Sequence, residues 1–164
     1  MFRDMRRSAQ ALPEEMCRDI LARGTSGVLA VSGDDGYPYA VPLSYVLDGD
    51  RLLFHCAAAG HKLDALARSD KASFCVIGSD EVLPDLFTTA YRSAIVFGRL
   101  RILSEECEKR AALGLFIEKY SPAAAPDARR REIDGALARV CILELRAEHV
   151  SGKEAIELVR RRAR

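Results

Sequence analysis

Apolar and polar residues alternate along residues 37–47 (YPYAVPLSYVL), and a period of two predicts a β-strand. The aromatic and aliphatic side chains of this segment share one face: Tyr37, Tyr39, Val41, Leu43 and Tyr45. Pro38 and Pro42 fall on the other face. Because proline donates no hydrogen bond to a neighbouring strand, we expect this strand at a sheet edge or beside a gap.

Two short acidic segments with glycine, 34–36 (DDG) and 48–50 (DGD), flank this strand. Asp-Gly favours the positive φ angles of tight hairpin turns. The turns therefore connect the strand to predicted strands at residues 26–31 and 51–57, and the three form an antiparallel meander.

The rest of the chain predicts three further strands, with helices between and around them. Strands are expected at 71–77, 91–103 and 140–145, and a loop at 78–90, where Pro84 and acidic residues interrupt any periodicity. Helices are expected at 13–23, at 61–69, at 104–120 with Ser104 as its cap, at 127–137, and after the capping-box pattern of Ser151 and Glu154. The fold class is thus mainly β (α+β): six antiparallel strands in a barrel or open sheet with flanking helices.

Composition and charge exclude several classes. The chain has 164 residues and a net charge of +1, which fits one domain over residues 1–164 and argues against a nucleic-acid binder. No stretch approaches the roughly 18 apolar residues of a membrane span. The five cysteines form no C-x-x-C pair, and no histidines have metal-ligand spacing, so we expect no metal site and a cytoplasmic protein with reduced thiols. The basic tail at 160–164 is expected to be solvated.

The segment 55–66 (HCAAAGHKLDAL) is the first candidate for chemistry. His61 and Lys62 follow Gly60 at a predicted helix start, where backbone N–H groups and the helix dipole favour an anion. Lys62 adds a full positive charge. The alternative is an exposed helix start with a solvated lysine.

Tyr91, Arg92 and Ser93 form the second candidate. Arg92 shares a strand face with small and apolar residues, and its guanidinium could form bidentate hydrogen bonds with a phosphate. The alternative is an arginine at a strand start whose stem reaches out to water. His55 lies on a strand face with Leu53 and Ala57, where a lone histidine is more often a hydrogen-bonded core or interface residue than a catalyst.

Together these segments resemble a known family. An N-terminal helix is followed by GVLAVSGDDGYPYAVPLSYVLDGDRLLFHCAAAGHKLDAL, a strand, a loop and YRSAIVFGRLRIL. This order is similar to that of the split-barrel flavin proteins related to pyridoxamine 5'-phosphate oxidase, and most similar to their nitroimidazole-resistance (Nim-type) branch. The resemblance covers about residues 5–155, including Gly152 and Lys153. The C-terminal arginine and histidine signature of the true oxidases is missing, so oxidation of pyridoxamine phosphate is not expected.

The resemblance implies a six-stranded split β-barrel and a homodimer with one FMN in each of two clefts at the subunit interface. It places Val41, Pro42, Leu43 and Ser44 along the isoalloxazine ring, His55 and Ala57 beside the ribityl chain, and His61, Lys62, Tyr91, Arg92 and Ser93 near the phosphate. A histidine near the flavin is also implied to take part in catalysis; His61 is the best match, with His55 as the alternative.

The function expected from this resemblance is that of an FMN-dependent oxidoreductase reducing small electron-poor compounds, as a nitroimidazole reductase does. Two alternatives come from other classes. The first is a non-catalytic flavin carrier or sensor, since no charge cluster for reading a substrate lies outside the phosphate site. The second is a haem-binding split barrel, because His55 and His61 could both face a cavity. Related split barrels also carry deazaflavin, which is a further alternative to FMN.

Overall fold

The computed structural model describes residues 2–162, which form an antiparallel sheet with flanking helices. The strands are β1 Ser26–Ser32, β2 Pro38–Ser44, β3 Val46–Asp48, β4 Arg51–Ala57, β5 Lys71–Leu83, β6 Thr88–Ile102 and β7 Val140–Glu154. The helices are α1 Glu14–Arg23, α2 His61–Arg68, α3 Glu106–Tyr120, α4 Pro126–Leu137 and α5 Ile156–Arg162. The α+β class is confirmed, with seven strands rather than six. None of these helices is long and apolar enough to cross a membrane.

The strand order explains how the sheet becomes a split barrel. The order is β2-β1-β5-β6-β7-β4-β3, so β2 and β3 stand at the two ends. Only Tyr45 separates β2 from β3 along the chain, and β2 also contacts β4. The two ends of the sheet must therefore lie close together, and the sheet curls into a barrel with a seam at Tyr45. Pro38 and Pro42 lie on an end strand, as predicted.

Two apolar clusters fill the molecule. The first occupies the barrel interior and includes fully buried Leu29, Phe54, Phe74 and Leu143. The second lies outside the barrel, where β3, β4 and β7 pack against α3 and α4; it comprises Val46, Leu53, Leu103, Ala112, Leu113, Phe116, Ala136 and Ile142. Because side chains alternate along β4, Leu53 joins the outer cluster while Leu52 and Phe54 join the inner one.

The predicted strand 37–47 breaks at Tyr45, and Tyr37 is exposed rather than sharing the buried face. The break has a clear cause. The Tyr45 N–H donates to the Tyr120 hydroxyl, and its carbonyl accepts from both Lys119 and Tyr120. Helix α3 thus takes the hydrogen bonds that a neighbouring strand would otherwise make.

The loop predicted at 78–90 was wrong. Strand β5 runs on to Leu83 and β6 begins at Thr88, with only the tight turn Pro84–Leu86 between them. A bulge after Ile77 shifts the register, and most residues beyond it on β5 are exposed. A hairpin that projects from the barrel has little buried surface, so its sequence carries no apolar alternation to recognise.

Both helix caps predicted in the second half of the chain were wrong. Helix α3 begins at Glu106, after Glu105, and Ser104 makes no capping bond. Ser151 and Glu154 belong to β7, where they pair with Ile95 and Arg92 of β6. Strand β7 is long because it crosses the barrel to pair with both β4 and β6. Of the basic tail, Arg162 contacts Glu154, whereas residues 163 and 164 lie outside the described residues.

Candidate functional site

A cleft of about 510 Å³ lies at the seam of the barrel, under α3 and α4. Ser44 at the end of β2 and His55 on β4 form its floor. Its walls are mainly apolar and come from Leu113, Phe116, Ile117, Ile133, Ala136 and Val140. An apolar cleft of this size with a few polar groups is typical of small-molecule sites.

The alternation of β4 explains why His55 reaches this cleft. Leu52 and Phe54 point into the barrel, so His55 and Ala57 point outward. The edge of the His55 ring meets the Phe116 ring, with 4.8 Å between centroids and an interplanar angle of 85°. This contact fixes the plane of the imidazole on the cleft floor.

Alternation also divides the predicted ring-binding segment of β2. Val41 and Leu43 pack against the barrel core, whereas the side chains of Pro42 and Ser44 are exposed on the outer face. Val28 of β1 pairs with Pro42 on one side of β2. The other side of β2 is a sheet edge, so its backbone groups are free of a ladder and face the seam.

Helix α2 starts directly beyond β4, at the end of the cleft floor. Gly60 precedes it with φ of +132°, a conformation that side chains rarely adopt. Lys62 is half-buried and lies near Cys56, the residue between His55 and Ala57 on β4. The cation of Lys62 therefore stands close to the strand that carries the cleft floor.

The side chain of His61 is engaged away from the cleft. Its ring stacks on Tyr39 at 4.1 Å between centroids. Its Nε2 is shielded from solvent and lies 3.3 Å from an Asp34 carboxylate oxygen, without the alignment of a hydrogen bond. Arg68 binds the other oxygen of Asp34 at 2.7 Å. His61 does not line the cleft, whereas His55 does.

The guanidinium of Arg92 forms an ion pair with a buried carboxylate. Its Nε donates to Glu154 at 3.1 Å, and Glu154 is fully buried. A second guanidinium, from Arg162 of α5, is 2.9 Å from the other carboxylate oxygen. The neighbouring Ser93 pairs with Ile77, which is exposed on the outer face of the sheet.

Within one chain, the predicted flavin-binding residues lie in two separate regions. Ser93 pairs with Lys153 near the end of β7, whereas His55 pairs with Ile142 near its start. These β7 positions are separated by about 36 Å of strand at roughly 3.3 Å per residue. The structure thus brings Ser44 and His55 together in the cleft. Ala57 and Lys62 lie near the end of β4 without lining the cleft, and Tyr91, Arg92 and Ser93 lie in another region.

Neither the cleft wall formed by α3 nor the attachment of α3 to the barrel was predicted from the sequence. Lys119 donates to the carbonyls of Gly24 and Tyr45 at 2.6 and 3.1 Å, and its burial lowers its pKa. The Tyr120 hydroxyl lies 2.6 Å from the Thr25 carbonyl. Nothing in the helical pattern distinguishes Lys119 and Tyr120 from solvated residues, because their partners are backbone groups far away in the chain.

Comparisons with known proteins identify the family. A family model described as pyridoxamine 5'-phosphate oxidase matches residues 13–154. No curated protein matched the chain. Among solved structures, a candidate 5-nitroimidazole antibiotic resistance protein from Bacteroides thetaiotaomicron has 18% identity and a TM-score of 0.74, covering 88% of this chain and 86% of that one.

Two further structures are similar in fold. The flavocytochrome Anf3 from Azotobacter vinelandii has 22% identity and a TM-score of 0.75, with 93% of this chain and 72% of that one covered. An FAD-binding protein from Mesorhizobium loti has 24% identity and a TM-score of 0.62, with 89% and 97% covered. At these identities the likeness establishes the fold.

Proposed function

The chain belongs to the pyridoxamine 5'-phosphate oxidase family, and we propose that it is an FMN-binding flavoprotein that reduces small electron-poor compounds such as nitroimidazoles. The observation that carries this proposal is the cleft of about 510 Å³ at the barrel seam, with Ser44 and His55 on its floor. Similar folds described as an FAD-binding protein and a candidate 5-nitroimidazole resistance protein support it.

The residues of the cleft fit a flavin. A planar ring needs apolar walls together with hydrogen-bonding groups along one edge. Phe116 and Ile133 supply such walls, and the free backbone edge of β2 near Pro42 supplies such groups. The bound flavin would provide the redox chemistry, while the protein orients it and excludes water. We propose that Lys62 and the first N–H groups of α2 hold the phosphate.

His55 is the histidine that we place beside the ring, because it lies on the cleft floor and Phe116 fixes its orientation. At that position it could donate a hydrogen bond to the ring or a proton to a bound acceptor. His61 remains a predicted contact of the phosphate end. Its stacking on Tyr39 and its closeness to Asp34 make it better suited to positioning the start of α2 than to proton transfer.

Replacing Lys62 with alanine should raise the Kd for FMN about 10- to 150-fold, because a charge-assisted bond to phosphate contributes about 1.5–3 kcal/mol. Fluorescence titration of the purified protein with FMN measures the effect. Riboflavin, which lacks the phosphate, should bind the variant and the wild-type protein equally. Lys71→Ala, at an exposed lysine where β5 begins, is the matched control. An unchanged Kd for FMN in Lys62→Ala would place the phosphate elsewhere.

We further propose that the protein is a homodimer with FMN at the interface. The outer face of the sheet exposes Val28, Ile77 and Val82, which are 41%, 67% and 71% exposed. An apolar face of this kind marks an interaction surface. We propose that a second copy on this face completes the cleft with its Tyr91 and Ser93, since these residues lie away from the cleft within one chain.

Replacing Ile77 with aspartate should shift the protein from twice the 18.1 kDa chain mass towards a monomer, because a charge on this face would have to be desolvated. Sedimentation equilibrium measures the mass, and the monomer should also bind FMN more weakly. Ile102→Asp is the control. Ile102 is 49% exposed, but it is the last residue of β6, far along that strand from Ser93, the partner of Ile77. A wild-type protein that sediments as a monomer while binding FMN would contradict the dimer.

The absorption spectrum of the purified protein separates flavin from haem. A bound flavin gives two broad visible bands, and a haem gives an intense Soret band. Turnover of a reduced nicotinamide with a nitroaromatic acceptor then separates a reductase from a flavin carrier. Colourless protein with no affinity for FMN would overturn the proposed function.

A further inference from the structure

Two cysteines face each other across the strands that form the floor of the cleft. Cys56 of β4 and Cys141 of β7 are directly opposite in the antiparallel register. The two thiols influence each other, since Cys141 raises the pKa of the Cys56 thiol, and both residues are half-buried. Cys17, Cys75 and Cys107 are also free thiols, and none of them has a cysteine opposite it in the registers of the described strands.

The geometry of this pair suits a disulfide. Residues directly opposite in an antiparallel ladder have Cα atoms about 4.5 or 5.5 Å apart, depending on the hydrogen-bonding of the pair. A disulfide accepts Cα separations of about 4.4–6.8 Å. A bond between the two sulfurs therefore requires rotation of two side chains without movement of the strands.

The pair lies on the two strands that line the cleft, but on their other face. The chain neighbours His55 and Val140 both line the cleft, and Lys62 lies near Cys56. Because side chains alternate along a strand, Cys56 and Cys141 point to the opposite face and pack against the barrel cluster, so an oxidant would reach the two half-buried sulfurs from the barrel side.

We propose that Cys56 and Cys141 form a reversible intramolecular disulfide on exposure to hydrogen peroxide. One thiolate attacks the peroxide oxygen, and the O–O bond breaks to give a sulfenic acid and, after protonation, water. The second thiol then attacks the sulfenic sulfur, its proton leaves with the hydroxyl as a second water, and the S–S bond forms. Two thiols are oxidised for each peroxide that is reduced, and an added dithiol reverses the reaction.

The surroundings of Cys56 set the rate at which its thiol is oxidised. Burial and the neighbouring Cys141 raise the pKa of the Cys56 thiol to about 11, while the positive charge of Lys62 acts to lower it. Because the thiolate is the reactive form, oxidation should be slow at neutral pH and accelerate about tenfold per pH unit below that pKa. The disulfide is therefore a response to sustained oxidant rather than to a brief pulse.

The test treats the full-length protein with hydrogen peroxide at pH 7 and pH 9, quenches it with acid and counts thiols after denaturation. We expect the count to fall from five to three, and to return to five after dithiothreitol. Non-reducing tryptic digestion should yield one linked pair of peptides, 52–62 (LLFHCAAAGHK) with 140–146 (VCILELR).

Two variants complete the test. Cys141→Ser should lose the linked peptides, whereas Cys75→Ser, at another half-buried cysteine, should retain them. Peptides linked through Cys75 or Cys107 would overturn the proposal. So would a wild-type protein in which Cys56 gains oxygen atoms without a link to Cys141, or in which exposed Cys107 is oxidised while both cysteines of the pair stay reduced.

Discussion

Replacing Arg92 with methionine should lower the free energy of unfolding by about 2–4 kcal/mol. The reason is the Glu154 carboxylate, which is fully buried and receives a hydrogen bond from Arg92 at 3.1 Å. Removing one partner of a buried ion pair leaves an uncompensated charge, which typically costs about 3–5 kcal/mol. Arg162 stays beside Glu154 and reduces that cost. Urea denaturation measures the change.

Two variants separate this structural role from phosphate binding. Arg99→Met is the matched control on the same strand, because Arg99 and both its partners, Asp70 and Glu148, are about half exposed. Its effect should be much smaller than that of Arg92→Met, because an exposed ion pair is screened by solvent. The double variant Arg92→Met/Glu154→Gln should recover part of the stability. A single variant as stable as the wild type, with weakened FMN binding alone, would assign Arg92 to the phosphate instead.

The second large effect is expected at Gly98, where alanine should destabilise the protein by about 3 kcal/mol. Strand β7 carries a bulge opposite this position, between Ala147, which pairs with Gly98, and His149, which pairs with Phe97. A Cβ on Gly98 would overlap the carbonyl oxygen of Arg146 and crowd the backbone of Ala147. Since the obstacle is backbone, a rotamer change cannot relieve it, and the two strands must separate.

Gly114 of α3 is the control for this substitution. A Cβ there meets no other atom within 4 Å. Alanine should therefore stabilise the protein by about 0.5–1 kcal/mol, because glycine in a helix loses more backbone entropy on folding. Thermal unfolding of both variants gives the comparison. A Gly98→Ala protein with a wild-type Tm would mean that the bulge can move to another position.

The predictions that held depended on local physical constraints. The prolines of β2 excluded it from the middle of a sheet, and the strand stands at an end of the strand order. Asp-Gly segments fixed the positions of the turns around it. The start of α2 at His61 was also predicted, because its apolar periodicity and preceding glycine are local signals.

The features that sequence did not give depend on distant partners. Glu154 has the spacing of a helix cap, yet it is a strand residue, because its carboxylate forms ion pairs with Arg92 and Arg162. The roles of Lys119 and Tyr120 exist only because the chain breaks at Tyr45, about 75 residues earlier. Likewise, which of the two histidines faces the cleft follows from the alternation of β4 and the packing of Phe116, and the motif alone contains neither.

The hydrogen bonds at Tyr45 make the seam and the cleft a single cooperative unit. The last turn of α3 supplies the partners of the Tyr45 backbone through Lys119 and Tyr120. The same turn carries Phe116 and Tyr120 into the cleft wall. A folding chain therefore cannot close its barrel first and build the cleft later, since one docking event accomplishes both. Any state in which α3 has undocked loses the binding site and the closure of the sheet together.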